Sequence, residues 1–288
     1  MNQTKTGWIY GFIGVVIFSG SLPATRVAVA WFDPVFLSFA RATIAGVLAA
    51  IMLVAWPQKR PDQSDLVSLF IVAIGVVIGF PLLTALALQH ITSAHSIVFI
   101  GLLPLATAIF GAIRTGETPP PAFWLFSILG SILVAGFALT QDMTASWSGD
   151  ILMFLAIVVC GFGYAEGGKL SRKLGGWQVI SWALVLSLPV MLPLAIFTMP
   201  QTFAGIAQPA WIALAYVSVF SMLIGFVFWY RGLAQGGIAA VGQLQLLQPF
   251  MGLLLAATLL KETVSWPMAV ASVAVLACVA GAKKFAKP

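Results

Sequence analysis

Charge is what this sequence has least of. Of 288 residues, 8% are charged against 61% hydrophobic, and the mean hydropathy is +1.05. Soluble chains carry roughly 25% charged residues, so there is too little charge here to coat a water-soluble globule. Cysteine is scarce too. Cys160 and Cys278 both lie inside apolar runs, which points to neither a disulfide framework nor a metal site. The two histidines, His90 and His95, have no Cys, Asp or Glu nearby to complete a metal shell. They read as solvated loop residues or, alternatively, as groups lining an outer vestibule. Acids are nearly absent from the apolar runs. Glu166 is the one well inside a run, three positions before Lys169. That spacing suits an ion pair near a membrane interface better than a proton-coupling role. No catalytic pair, metal cluster or cofactor motif stands inside the apolar runs, which disfavours a membrane-embedded enzyme.

What is present is long apolar sequence. About 20 such residues are needed to cross a bilayer as a helix, and ten segments qualify, near 8–30, 34–56, 66–89, 94–113, 121–140, 149–170, 177–199, 210–232, 238–260 and 265–282. The runs are uniformly apolar rather than alternating, which excludes a membrane β-barrel. The expected fold is therefore an all-α integral membrane protein with ten transmembrane helices. Ala28-Val29-Ala30 looks like a signal-peptidase site, but the run before it is long for a signal core, so the first segment reads as a retained span. With the N-terminus inside, the inner loops collect eleven basic residues, including Lys59, Arg60, Arg114, Arg172, Lys173 and Lys283, and the outer loops keep Lys261. This bias places both termini in the cytoplasm. It also accounts for the net charge of +6 without a nucleic-acid partner.

Self-comparison reveals a repeat. Pro104 and Pro249 are 145 positions apart, as are Glu117 and Glu262, Thr118 and Thr263, and Gly136 and Gly281. Ile78-Gly79-Phe80 matches Ile224-Gly225-Phe226 at an offset of 146. The halves are 1–145 and 146–288, each with five spans. Because five is odd, the second copy enters the membrane from the opposite side. Inverted repeats of this kind are a hallmark of secondary transporters, which alternate access around a site at the repeat interface. A passive channel is the other reading that the repeat leaves open.

Several strings carry a more specific resemblance: FSGSLPATR (18–26), Pro34 to Arg41, ALQHITSA through GET (87–118) and GLAQGGIAA through KET (232–263). With them the chain resembles the drug/metabolite transporter (DMT) superfamily in its ten-span EamA-type branch, and within it most nearly the YddG-type aromatic amino-acid exporters. That resemblance implies a central cavity lined by spans 1, 3, 4, 6, 8 and 9. It also implies export of amino acids or related small metabolites across a bacterial-type inner membrane, by alternating access. Cationic drugs or other organic metabolites are the alternative cargo. The partners implied are a small-molecule substrate and the lipid bilayer, with no obligate protein partner evident. Arg41 departs from the repeat, having no basic counterpart in the second half.

The residues point to a site of their own. Pro23 leaves the carbonyl of Ser19 without its i+4 donor, so Ser19, Ser21 and that carbonyl are candidates for a polar ligand, or for a simple packing kink. In span 9, Gly242, Gln245, Gln248, Pro249 and Gly252 share an arc of about 100° on an α-helix, with Gln243 nearly opposite. Amides inside a membrane face protein or water, so Gln245 and Gln248 read as cavity wall or interhelical contact. Their counterparts around Pro104 are mostly apolar. Arg41 is a candidate for holding a substrate carboxylate, for closing a gate, or for capping a helix C-terminus. Phe18, Phe80, Phe99 and Tyr164 are candidates for stacking, and His95 for the vestibule. Gly75-x-x-x-Gly79 and Gly163-x-x-x-Gly167 read as helix-packing faces.

The topology is directly testable. In a cysteine-free background, a cysteine at Lys59 is expected to resist an impermeant maleimide on intact cells and react once the membrane is opened. One at Asp33 is expected to react on intact cells. The reverse pattern would invert the assigned orientation.

Overall fold

The structure is a computed structural model describing residues 3–87, 90–91, 99–138, 146–260 and 266–286. The regular elements among the described residues are all helices, with no strand. The helices are numbered here in chain order: α1 (Gln3–Val29), α2 (Pro34–Ala55), α3 (Gln63–Ala87), α4 (Leu103–Thr115), α5 (Pro121–Ala138), α6 (Trp147–Leu174), α7 (Gly176–Phe197), α8 (Gln208–Gly236), α9 (238–260) and α10 (Trp266–Phe285). Six of them, α1, α2, α3, α6, α7 and α8, are long and apolar enough to cross a membrane. The described parts of α4 and α5 are shorter apolar helices.

Local chemistry explains where the helices begin and end. Asp33 caps α2, its Oδ1 accepting from the backbone N–H of Val35 at 2.8 Å and Phe36 at 3.0 Å, and Pro34 fills the first turn, where no N–H is needed. At the start of α3 the Asp65 carboxylate accepts from the Asp62 N–H at 2.9 Å. Gly116 ends α4 at φ 70°, in the left-handed region that glycine enters without a Cβ clash.

Glycines set the closest crossings. A side chain at Gly7 would run into the backbone of Gly236, so α1 and α8 meet almost backbone to backbone. Gly75 of α3 faces Gly163 of α6, where a Cβ on Gly75 would sit 3.0 Å from the Gly163 Cα. Gly167 gives room to the ring of Tyr230. Gly79 serves a different end. It closes a π-helical stretch, Ala73–Gly79, in which Phe80 N–H bonds to the Gly75 carbonyl five residues back. A second π stretch, Tyr216–Ile224, occupies the corresponding part of α8, with Gly225 N–H bonding to the Phe220 carbonyl. In both, the glycine lies against the carbonyl five residues before it, Ile74 for Gly79 and Phe220 for Gly225.

The chain ends share one face of the bundle, where Lys283 Nζ lies 4.8 Å above the ring of Trp8. Helix α6 crosses from the far face, where Gly149 packs on Ile91, to the termini face, where Lys173 Nζ bonds Asp62 at 2.8 Å and Asp65 at 2.7 Å. Around that lysine the termini face is tied together ionically. Glu117 accepts from Arg172 at 2.6 Å and also from the first N–H groups of α9, Ile238 at 3.1 Å and Ala239 at 3.0 Å. A carboxylate there offsets the positive end of the α9 dipole.

Glu166 is fully buried and has a different main partner from the one its spacing suggests. Arg114 engages it with two bonds, Nε to Oε2 at 2.7 Å and Nη2 to Oε1 at 3.2 Å, and Ser68 Oγ donates to Oε1 at 2.6 Å. Lys169 stands off at 3.9 Å, with its side chain 44% exposed. The i,i+3 pair is real but secondary. Removing one partner of a buried pair strands the other charge. Glu166→Gln is therefore expected to destabilise the detergent-purified protein by about 1–3 kcal/mol. Lys169→Gln is expected to cost less than about 0.5 kcal/mol. Equal losses in thermal unfolding would contradict this ranking of partners.

Candidate functional site

A cavity of about 650 Å³ occupies the middle of the bundle. That volume falls within the range of small-molecule sites. Its walls come from α1 (Phe18 to Val29), α2 (Pro34 to Arg41), α3 (Val76 to Ala85), α6 (Cys160, Tyr164), α8 (Ser221 to Phe226) and α9 (Gln248 to Gly252), with Ile100 and Leu103 at the start of α4. Helix α2 is an addition to the spans expected from the resemblance. Val29, Pro34 and Ile91 extend the described lining toward the ends of α1, α2 and α3 farthest from the termini.

Four helix irregularities border this space: the break of α1 at Gly20, the π stretches of α3 and α8, and a 3₁₀ stretch, Gln243–Leu247, immediately before Gln248. The α1 break is filled from α8. Tyr216 Oη donates to the Ile17 carbonyl at 2.9 Å, and a side chain at Gly20 would collide with that hydroxyl. Across the break, the Ser19 carbonyl faces Gly252 of α9, where a Cβ would approach it to 3.3 Å.

Phe18, Ser19, Ser21, Arg41, Phe80, Tyr164, Gln248 and Pro249 all line the cavity. The Ser19 hydroxyl is spent on its own helix, donating to the Val15 carbonyl at 2.7 Å, while its carbonyl remains turned to α9. Ser21 Oγ donates to Ser221 Oγ at 2.7 Å, and Arg41 Nη2 donates to the same oxygen at 3.2 Å. Ser221 thus joins α1, α2 and α8 in one polar chain inside the cavity.

The remaining expected residues are elsewhere. Gln245 is 3% exposed and buried outside the described cavity lining, with its amide near the lining residue Tyr164. Gln243 Nε2 turns to the carbonyls of Pro104 at 3.4 Å and Ala239 at 3.5 Å. Pro104 is buried away from the cavity lining, Pro23 sits behind it, and Phe99 packs among apolar core residues. His95 lies outside the described residues, and His90 is exposed. Ser221, Thr84, Met222 and Phe226 were missed by the sequence reading. The offset of 146 pairs Phe226 with Phe80, and the serines Ser218 and Ser221 in an otherwise apolar span are a signal in their own right.

Toward the termini the cavity is shut by aromatic rings. Phe18 and Phe226 meet edge to face at 5.0 Å, Tyr164 stands 5.9 Å from Phe226 and 5.6 Å from Trp229, and Phe226 is 5.4 Å from Tyr230. Such pairs are each worth about 0.5–1.5 kcal/mol beyond their buried area. Between this plug and the termini face lie the ion pairs of Glu166 and Glu117. No group of three or more His, Cys, Asp or Glu side chains comes together among the described residues.

This geometry agrees with what the chain is similar to. An uncharacterized transporter of Bacillus subtilis (strain 168), YdeK, is 68% identical over 287 residues, spanning 100% of both chains. A probable terminal-alkyne amino-acid exporter of Streptantibioticus cattleyicolor is 23% identical over 269 residues, covering 91% of this chain and 88% of the relative. A solved crystal structure of another protein superposes with a TM-score of 0.82 over 98% of both chains at 18% identity, which shows the shared fold. The sequence model of the EamA-like transporter family matches residues 5–139 and again 147–282. The chain is therefore a membrane transporter rather than an enzyme, and it belongs to the EamA-like transporter family.

Proposed function

We propose that the protein is an inner-membrane secondary transporter that exports amino acids, aromatic ones among them, or related small metabolites. It works by alternating access around the central cavity. The observation that carries this reading is a cavity of about 650 Å³ where α1, α2, α3, α6, α8 and α9 converge, closed toward the termini by aromatic rings and ion pairs. Such a chamber is one of the two states an alternating carrier requires. Ten spans, arranged as two inverted five-helix halves at 1–145 and 146–288 with both termini cytoplasmic, complete the proposal. The double family match, the paired π stretches and the crossing of α6 from the far face to the termini face support it. The name of the Streptantibioticus relative supports the amino-acid class, and the ring-lined floor supports aromatic cargo, as in YddG-type exporters.

Within this reading Gln248, the Ser19 carbonyl and Ser21 contact the polar part of the substrate, and Phe18, Phe80 and Tyr164 contact its apolar part. In liposomes, internal unlabelled phenylalanine is expected to accelerate uptake of labelled phenylalanine and to saturate, as a carrier does and a pore does not. Gln248→Leu is expected to cut that counterflow about tenfold, the loss of one hydrogen bond to a charged group, at unchanged protein abundance. Across a panel of labelled amino acids, absence of saturable counterflow would overturn the carrier reading. Normal flux by Gln248→Leu would overturn the site.

A further inference from the structure

The cavity is lopsided in charge. Arg41 is the charged residue among its described lining residues, and no described carboxylate shares the space. Four other basic side chains have acidic partners: Arg114, Lys169, Arg172 and Lys173 pair with Glu166, Glu117, Asp62 and Asp65 on the termini side. Arg41 instead makes its hydrogen bond among the described residues to the neutral Ser221 hydroxyl, and its buried Nε has no partner among them. Thr84 Oγ1, also on the cavity wall, is likewise buried without a partner among the described residues. A guanidinium presents five N–H donors in a planar fork matched to a carboxylate. Holding it in an apolar chamber without a counter-ion is costly, and an incoming anion removes that cost. Among the described residues Arg41 pairs with no acid. Neither offset of the repeat pairs Arg41 with a basic residue, 145 giving Leu186 and 146 giving Ser187.

Resting on the transport reading above, we propose that the substrate carries a carboxylate, which docks on Arg41 with the Ser21–Ser221 pair beside it. The apolar body of the substrate then lies toward Phe18, Phe80 and Phe226. The same arrangement disfavours organic cations, because a positive head group would meet Arg41 in a low-dielectric space with no acid to receive it.

Three probes of one shape test this: 3-phenylpropanoate, 3-phenylpropanamide and 3-phenylpropylammonium, titrated against the purified full-length protein by intrinsic tryptophan fluorescence. The carboxylate is expected to bind at least about tenfold more tightly than the amide, and the ammonium more weakly than either. Phenylalanine is expected to exceed phenylalaninamide in the same direction. Arg41→Met is expected to erase the preference while eluting and melting as a folded protein, and Arg41→Lys to keep part of it. Equal binding of carboxylate and amide, no binding of any of the three, or a preference that survives Arg41→Met would overturn the proposal. Liposome counterflow separates it from the reading beneath it. Carboxylate preference without counterflow removes the carrier and leaves the anion site, whereas counterflow indifferent to the carboxylate removes the site and leaves the carrier.

Discussion

A helix in hydrocarbon has no water to fall back on when its hydrogen-bond ladder is interrupted, so every break has to be satisfied by another part of the protein. This constraint organises the whole molecule. The gap in α1 is filled by a tyrosine hydroxyl from α8. The wide turns in α3 and α8 keep their bonds by reaching five residues back and use a glycine where a side chain would meet the carbonyl. The over-wound stretch of α9 begins one turn after the Glu117 carboxylate has taken up its first N–H groups. These accommodations cluster because each needs a neighbour, and the helices that supply the neighbours thereby come to surround a common space.

The two sides of that space are built from different forces. Toward the termini, rings packed edge to face exclude water, and behind them carboxylates and guanidinium groups lock α3, α4, α6 and α9 together. Aromatic contacts are short-ranged, and a gap of about 0.5–1 Å already forfeits a quarter to a half of their dispersion energy. The Glu166 cluster costs more to open, because a buried carboxylate that loses Arg114 is left in a poor solvent. Both hold the termini side of the cavity closed in this structure.

Much of this was legible in the residues before any coordinates. Apolar run length and the Pro, Gly and Glu-Thr repeat marked the helices, and Pro23, Phe18, Ser21, Arg41, Phe80, Tyr164 and Gln248 marked the cavity or its border. The misses have physical causes. Spacing rules see only partners on the same helix, so they proposed Lys169 for Glu166 and were blind to Arg114, 52 positions away. Ser221 carries a hydrogen-bond chain between helices that no local pattern encodes. Gln245 lies outside the described cavity lining although the tight winding of Gln243–Leu247 brings it nearly into line with Gln248, three positions on.

That tight winding has a geometric consequence of its own. A 3₁₀ helix rises about 2.0 Å and turns about 120° per residue, against about 1.5 Å and 100° for an α-helix. Over the five residues Gln243–Leu247 the difference comes to about 2.5 Å of length and about 100° of rotation. Rewinding those residues as an α-helix, with the start of α9 still held by Glu117, would draw Gln248 back by about half a turn and swing its amide a quarter-circle off the cavity wall. The direction in which Gln248 points is thus set by the pitch of the five residues before it, and a change of pitch there would withdraw it with no ion pair broken.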